Sequence, residues 1–114
     1  MIRYEFNGTG IFHALQLLED CDMERADAEE LERIEYIFGN ELPHPDIEWN
    51  KNTKCWFKEE GDVRFALELE SLQELFRIYL ENAGLGTLTI KEDDPVGDII
   101  YEDAWQVVVR TVSS

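Results

Sequence analysis

Positive charge is what this sequence has least of. Ten lysines and arginines stand against 26 aspartates and glutamates among 114 residues, a formal net charge of −16. Such a field repels nucleic acid and anionic membrane surfaces and speeds encounter with basic ones, so direct nucleic-acid binding is not expected. Long apolar runs are missing too. No stretch of 18 apolar residues occurs, which excludes a helical membrane span, and Met1–Phe6 lacks the apolar core and small-residue cleavage site of a secretion signal. Cysteine and histidine number two each. Cys21 and Cys55 are far apart in sequence, and without a secretion signal reduced thiols and a cytoplasmic setting are expected. His13 and His44 have no partner at zinc-knuckle spacing. Glu92-Asp93-Asp94-Pro95-Val96-Gly97-Asp98 does not space its oxygens as a calcium loop does. No metal and no cofactor are therefore expected.

Apolar residues are not scarce. Hydrophobic side chains make up 44% and aromatics 11% of the chain, which sets it apart from a disordered polyanion. A chain of this length can bury a core as one domain, residues 1–114.

Hydrophobic periodicity gives a coarse map. Ile2, Tyr4 and Phe6 alternate with Arg3 and Glu5, the period of a half-buried strand. Asn7-Gly8-Thr9-Gly10 follows and reads as a tight β-to-α turn, being too short for a phosphate-binding loop. A short helix is expected over residues 10–20. A second runs from Asp27, with Glu30 at capping-box spacing, through Leu31, Ile34, Ile37 and Phe38 to Gly39 as its C-terminal cap. Residues 40–52 read as a loop, since Pro43 and Pro45 cannot continue a helix. Thr53–Glu59 and Val63–Glu70 read as a hairpin around Glu60-Gly61-Asp62, with a helix starting near Val63 as the competing reading. Ser71 and Glu74 then cap a helix ending near Asn82. Strands are expected around Leu88–Ile90 and from Trp105 to Val112, where three consecutive valines suggest burial on both faces. The resulting order, β-α-α-β-β-α-β-β, implies an α+β domain with an antiparallel or mixed sheet of about five strands and three helices.

The acids are concentrated. Glu19–Glu35 carries nine against Arg25 and Arg33, and Glu92–Asp103 carries six with no base. Glu24, Asp27, Glu29, Glu32 and Glu35 repeat along the second helix. Glu92, Asp93, Asp94 and Asp98 form an acidic loop. Trp49 lies in a polar loop, and tryptophan is enriched among binding hot spots. These ten residues are the candidate partner-binding set.

A solvated helix face with an acidic loop, or a halophile's surface, would account for the charge alone. A recognition surface would also account for its placement. Duplex DNA carries one charge per ~1.7 Å of axis and is gripped by lysines and arginines, so a rigid polyanion can occupy the same channel. Size, acidity and lack of catalytic motifs make the chain similar in type to small phage-encoded inhibitors of restriction or CRISPR nucleases. The expected function is thus a non-enzymatic, stoichiometric inhibitor covering a basic nucleic-acid-binding surface. An immunity protein neutralising a cognate toxin, or a small enzyme whose site has no sequence signature, are the alternatives. Oligomeric state is open at this level.

Overall fold

The computed structural model describes residues 1–111. All strand pairs are antiparallel, in one six-stranded sheet with four α-helices, two of them long. The α+β class follows the hydrophobic pattern, although several elements differ from it.

Strand β1 (Ile2–Phe6) turns back at once into β2 (Thr9–Gly10), with Phe6 opposite Thr9. Asn7 and Gly8 both take positive φ, 52° and 80°. This is the two-residue hairpin geometry whose twist matches that of the flanking strands, so Asn7-Gly8 is a β-turn and not a β-to-α turn. Helix α1 is correspondingly short, Leu15–Glu19. Helix α2 spans Arg25–Glu41 and runs through Gly39 to Leu42, where the following proline stops it. Asp27 does not cap it, because the helix begins two residues earlier, with Glu24 at the cap position and Asp27 inside the first turn.

After β3 (Thr53–Phe57) the hairpin reading fails. Glu59–Arg64 is helix α3, Ala66–Phe76 is α4, and α4 continues as a π-helical turn over Arg77–Glu81. The alternation of Phe65, Leu67 and Leu69 misleads because Leu67 is 74% exposed, while Leu69, Leu72, Leu75, Phe76 and Leu80 form the buried stripe. Ser71 and Glu74 lie inside α4, and Glu74 pairs with Arg77 instead of capping. The remaining strands are β4 (Leu88–Glu92), β5 (Asp98–Glu102) and β6 (Gln106–Arg110). Val112, the end of the expected last strand, lies outside the described residues.

β4 pairs with the whole of β1, so β2 and β3 share the other edge of β1. β2 lies opposite Glu5 and Phe6, and β3 meets Ile2 alone through Phe57. Beyond β3 come β6 and then β5. β4 and β5 are thus at opposite edges, yet only residues 93–97 join them. Four strand spacings of ~4.8 Å and a reach of ~3.5 Å per residue leave no slack across a flat sheet. The sheet must curl, and both faces are buried as a result. Ile2, Tyr4, Phe6 and Phe57 pack toward the helices with Leu18, Ile34, Phe38, Phe65 and the α4 stripe. On the opposite face Arg3, Glu5, Trp56, Val107 and Val109 are all at least nine-tenths buried. Each fully buried aliphatic or aromatic side chain contributes about 1.5–3 kcal/mol. Gly61 lets α3 lie directly on the start of β6, since a Cβ there would come within 2.2 Å of the Trp105 carbonyl oxygen.

Candidate functional site: an acidic surface and an apolar cavity

Among the described residues, seven of the ten cations are committed to ion pairs, and these pairs involve seven of the 26 acids. Nineteen carboxylates have no lysine or arginine beside them.

The acids of α2 are not equivalent. Glu29 is held by Arg25 at 3.1 Å and the flanking Glu30 by Arg33 at 2.5 Å, so one of the repeating charges and its neighbour are partly neutralised. Asp27 accepts the Tyr79 hydroxyl at 2.5 Å, and the oxygen of Tyr79 in turn accepts the Glu24 N–H at 3.2 Å. Glu24 and Glu32 are exposed and unpaired, and Glu35 is half-buried. Burial, followed by the charge and hydrogen bond of Glu19 and the charge of Glu32, pushes the Glu35 carboxyl above its ordinary range. The free part of this face is therefore centred on Glu19, Glu32 and Glu35. Glu19 was not among the residues singled out above, because the bend between α1 and α2 is invisible in the linear pattern.

The second acidic segment is built separately. Glu92, Asp93, Asp94 and Asp98 are exposed. Asp93 Oδ1 accepts the Asp94 N–H at 2.8 Å, and the Met1 ammonium donates to the Asp93 carbonyl at 2.9 Å. Asp98 opens β5, a strand missed in the sequence because acids flank Ile99-Ile100-Tyr101. Asp103 belongs to a turn instead of a surface. Burial opposes its ionisation, but the Tyr101 hydroxyl, the Trp105 and Gln106 N–H groups and the Gln106 amide outweigh that and hold its carboxyl low. The structure brings neither acidic segment to the other. One is tied to Tyr79, the other to the amino terminus.

Trp49 shares a cavity lining with Glu35 of α2 and with none of the acids of the second segment. It is 38% exposed, its ring meets His13 edge-on at 5.7 Å, and it lines a cavity of about 400 Å³. The cavity lies between α2, the 42–49 loop, the start of α1 and the inner face of β3. Phe12, Phe38, Leu42 and Phe57 supply apolar wall. Pro43 is pinned there by its carbonyl, which accepts the Gln106 amide at 2.7 Å.

Polar groups enter this cavity where β1 and β3 part. Arg3 spans the gap, donating from Nη1 to the Cys55 carbonyl at 3.0 Å and from Nε to Glu5 at 2.5 Å. Lys91 reaches the other Glu5 oxygen at 3.0 Å. Burial works against the Glu5 charge, but Arg3 and Lys91 outweigh it and lower its pKa. The Cys55 thiol, which donates to Gln106 at 3.1 Å, is pushed up to about 12 by burial, so it is no nucleophile near neutrality. Both cysteines are free thiols. Nothing in the sequence distinguished Arg3 from an ordinary outward-facing residue of a half-buried strand.

Among the described residues no three histidine, cysteine or acidic side chains converge as metal ligands, and no helix is long and apolar enough to cross a membrane. No family model matches the chain, and no curated protein or solved structure matches it either.

Proposed function

We propose that this chain is a non-catalytic binding protein whose acidic surface docks on a basic, nucleic-acid-binding face of another protein and excludes the nucleic acid from it. The observation that carries the reading is that, among the described residues, 19 carboxylates have no cation beside them while seven of the ten cations are already in ion pairs. Self-repulsion on this scale costs stability unless a partner uses it. A rigid helix supports the role better than a flexible acidic tail would, because little ordering entropy is lost on docking. The Tyr79 contacts to Asp27 and Glu24 fix the amino-terminal end of that helix.

Two charge reversals test the reading and locate the face. Glu29→Lys/Glu32→Lys alters the exposed side of α2, and Asp93→Lys/Asp94→Lys alters the loop between β4 and β5. Neither touches the core. The variant on the docking face is expected to weaken partner binding at least tenfold at low salt, with a shallower salt dependence. Unchanged binding by both would contradict the reading.

A further inference from the structure

We propose that the cavity between α2, β3 and the 42–49 loop is a binding site for a small amphipathic carboxylate, with the acid group on Arg3 and the apolar body against Phe12, Phe38, Leu42 and Phe57. This inference does not rest on the proposed macromolecular partner, although Glu35 of the α2 acidic face also lies on the cavity lining.

Four observations support it. The first is volume and wall chemistry. About 400 Å³, mostly apolar with a few polar groups, is the character of a ligand pocket, and at ~30 Å³ per water-sized group it holds roughly a dozen heavy atoms. The second is charge. In a chain with 26 acids, Glu35 is the single carboxylate on the cavity lining. The third is the guanidinium itself. Arg3 is 7% exposed, and two of its nitrogens are occupied, Nε by Glu5 and Nη1 by the Cys55 carbonyl. Nη2 makes no hydrogen bond to a described residue, and Arg3 lines the cavity, so this nitrogen is accessible there to a ligand's acceptor and is not a buried unpaired donor. Lys91 also binds Glu5, so the Arg3–Glu5–Lys91 cluster carries a net positive charge that Glu5 alone does not cancel. The fourth is Gly10. A side chain there would begin 3.3 Å from Nη2, and glycine leaves that nitrogen uncovered.

A carboxylate oxygen on Nη2 would complete the fan of hydrogen bonds that Arg3 begins, and a charge-assisted bond in a low-dielectric pocket is strong. The hydrocarbon behind it would displace water from the aromatic wall. A cationic ligand would meet the guanidinium, and a neutral hydroxyl could accept from Nη2 only without the charge that strengthens the carboxylate's bond.

The test is calorimetric titration of the intact chain with decanoate, 1-decanol and decylammonium, each as a monomer in solution. Decanoate is expected to bind at least tenfold more tightly than decanol, with decylammonium weakest. Arg3→Lys keeps a positive charge but removes Nη2. It should lose most of the preference for decanoate, weakening decanoate binding far more than decanol binding. Equal affinity for decanoate and decanol would overturn the proposal, as would failure of all three to bind. If Arg3→Lys does not fold, the ranking of the three probes on the unaltered chain decides alone.

Discussion

The Tyr79 hydroxyl donates to Asp27 Oδ2 at 2.5 Å while its oxygen accepts the Glu24 N–H at 3.2 Å, so one phenol ties the first turn of α2 to the π-helical turn after α4. The same chemistry recurs. Tyr4 donates to Asp62 and Tyr101 to Asp103. A chain with ten bases cannot pair its buried-edge carboxylates with cations, and phenols take that place. Each bond also raises the tyrosine. Tyr101 is pushed up to about 12, with the Asp103 bond the chief cause, and for Tyr4 burial comes first and the Asp62 bond second.

Tyr79→Phe should therefore loosen the start of α2 without disturbing the core. The Glu24 side chain makes no cap hydrogen bond, so no other group replaces the phenol there. Hydrogen exchange is expected to accelerate at the amides of residues 24–28 and to stay unchanged in α4. Equal protection in the variant would show that Tyr79 does not anchor the helix.

Glu5 is the hub of the cationic cluster. Its carboxyl lies at 3% side-chain exposure between Arg3 and Lys91. Glu5→Gln leaves Arg3 buried without its counter-ion, and breaking a buried pair in this way costs about 3 kcal/mol. The sign follows from its lowered pKa. The folded state releases the proton more readily, so the stabilisation is full above the unfolded carboxyl pKa and is lost as pH falls through the folded one. Urea unfolding should show a deficit for Glu5→Gln at pH 7 that narrows progressively under acid.

Glu35 behaves in the opposite way. Its folded carboxyl is raised, by burial first and then by Glu19 and Glu32. The folded state holds this proton more tightly, so stability declines as pH rises from the unfolded pKa through the folded one. Glu35→Gln should gain a few tenths of a kcal/mol at pH 7.5, the scale of a like-charge helix pair, and gain nothing at pH 4. A loss of stability at neutral pH would contradict the crowding of Glu19, Glu32 and Glu35.

The two thiols should separate in a labelling experiment. Cys55, with its pKa pushed up to about 12 by burial, is expected to resist iodoacetamide at pH 8 until the chain unfolds. Cys21 is half-buried, donates only to the Leu17 carbonyl at 3.2 Å, and should be alkylated in the native state. Two fast-reacting thiols would place Cys55 in solvent.

Much of this architecture is readable in the chain, and its failures have physical causes. β1 and β3, the body of α2 and the doubly buried valines of β6 follow from periodicity, since burial on one face or two leaves a direct imprint. Residues 63–70 do not. Exposed Leu67 completes a false period of two, and the helical stripe becomes visible only with Leu72 and beyond. β5 hides behind its acids because an edge strand needs little apolar surface. Of the candidate site, the acidic residues were legible but their pairing was not. Arg25 and Arg33 take Glu29 and Glu30, whereas Glu19 arrives from another helix. The cavity was not legible at all. It depends on the single-pair seam between β1 and β3, a tertiary accident of register that places Arg3 across a gap.

The central claim is that the acidic surface replaces nucleic acid on a basic partner. Its most direct measurement begins with capture on the immobilised chain from nuclease-treated host lysate, eluted by a salt gradient. The eluted protein is then assayed for duplex DNA binding with increasing amounts of the chain. A nucleic-acid-binding protein that survives nuclease treatment, elutes with salt and releases its DNA at one equivalent of the chain is the predicted result. A captured protein that keeps its DNA at saturating chain, or capture equally strong with both charge-reversed variants, would contradict the account.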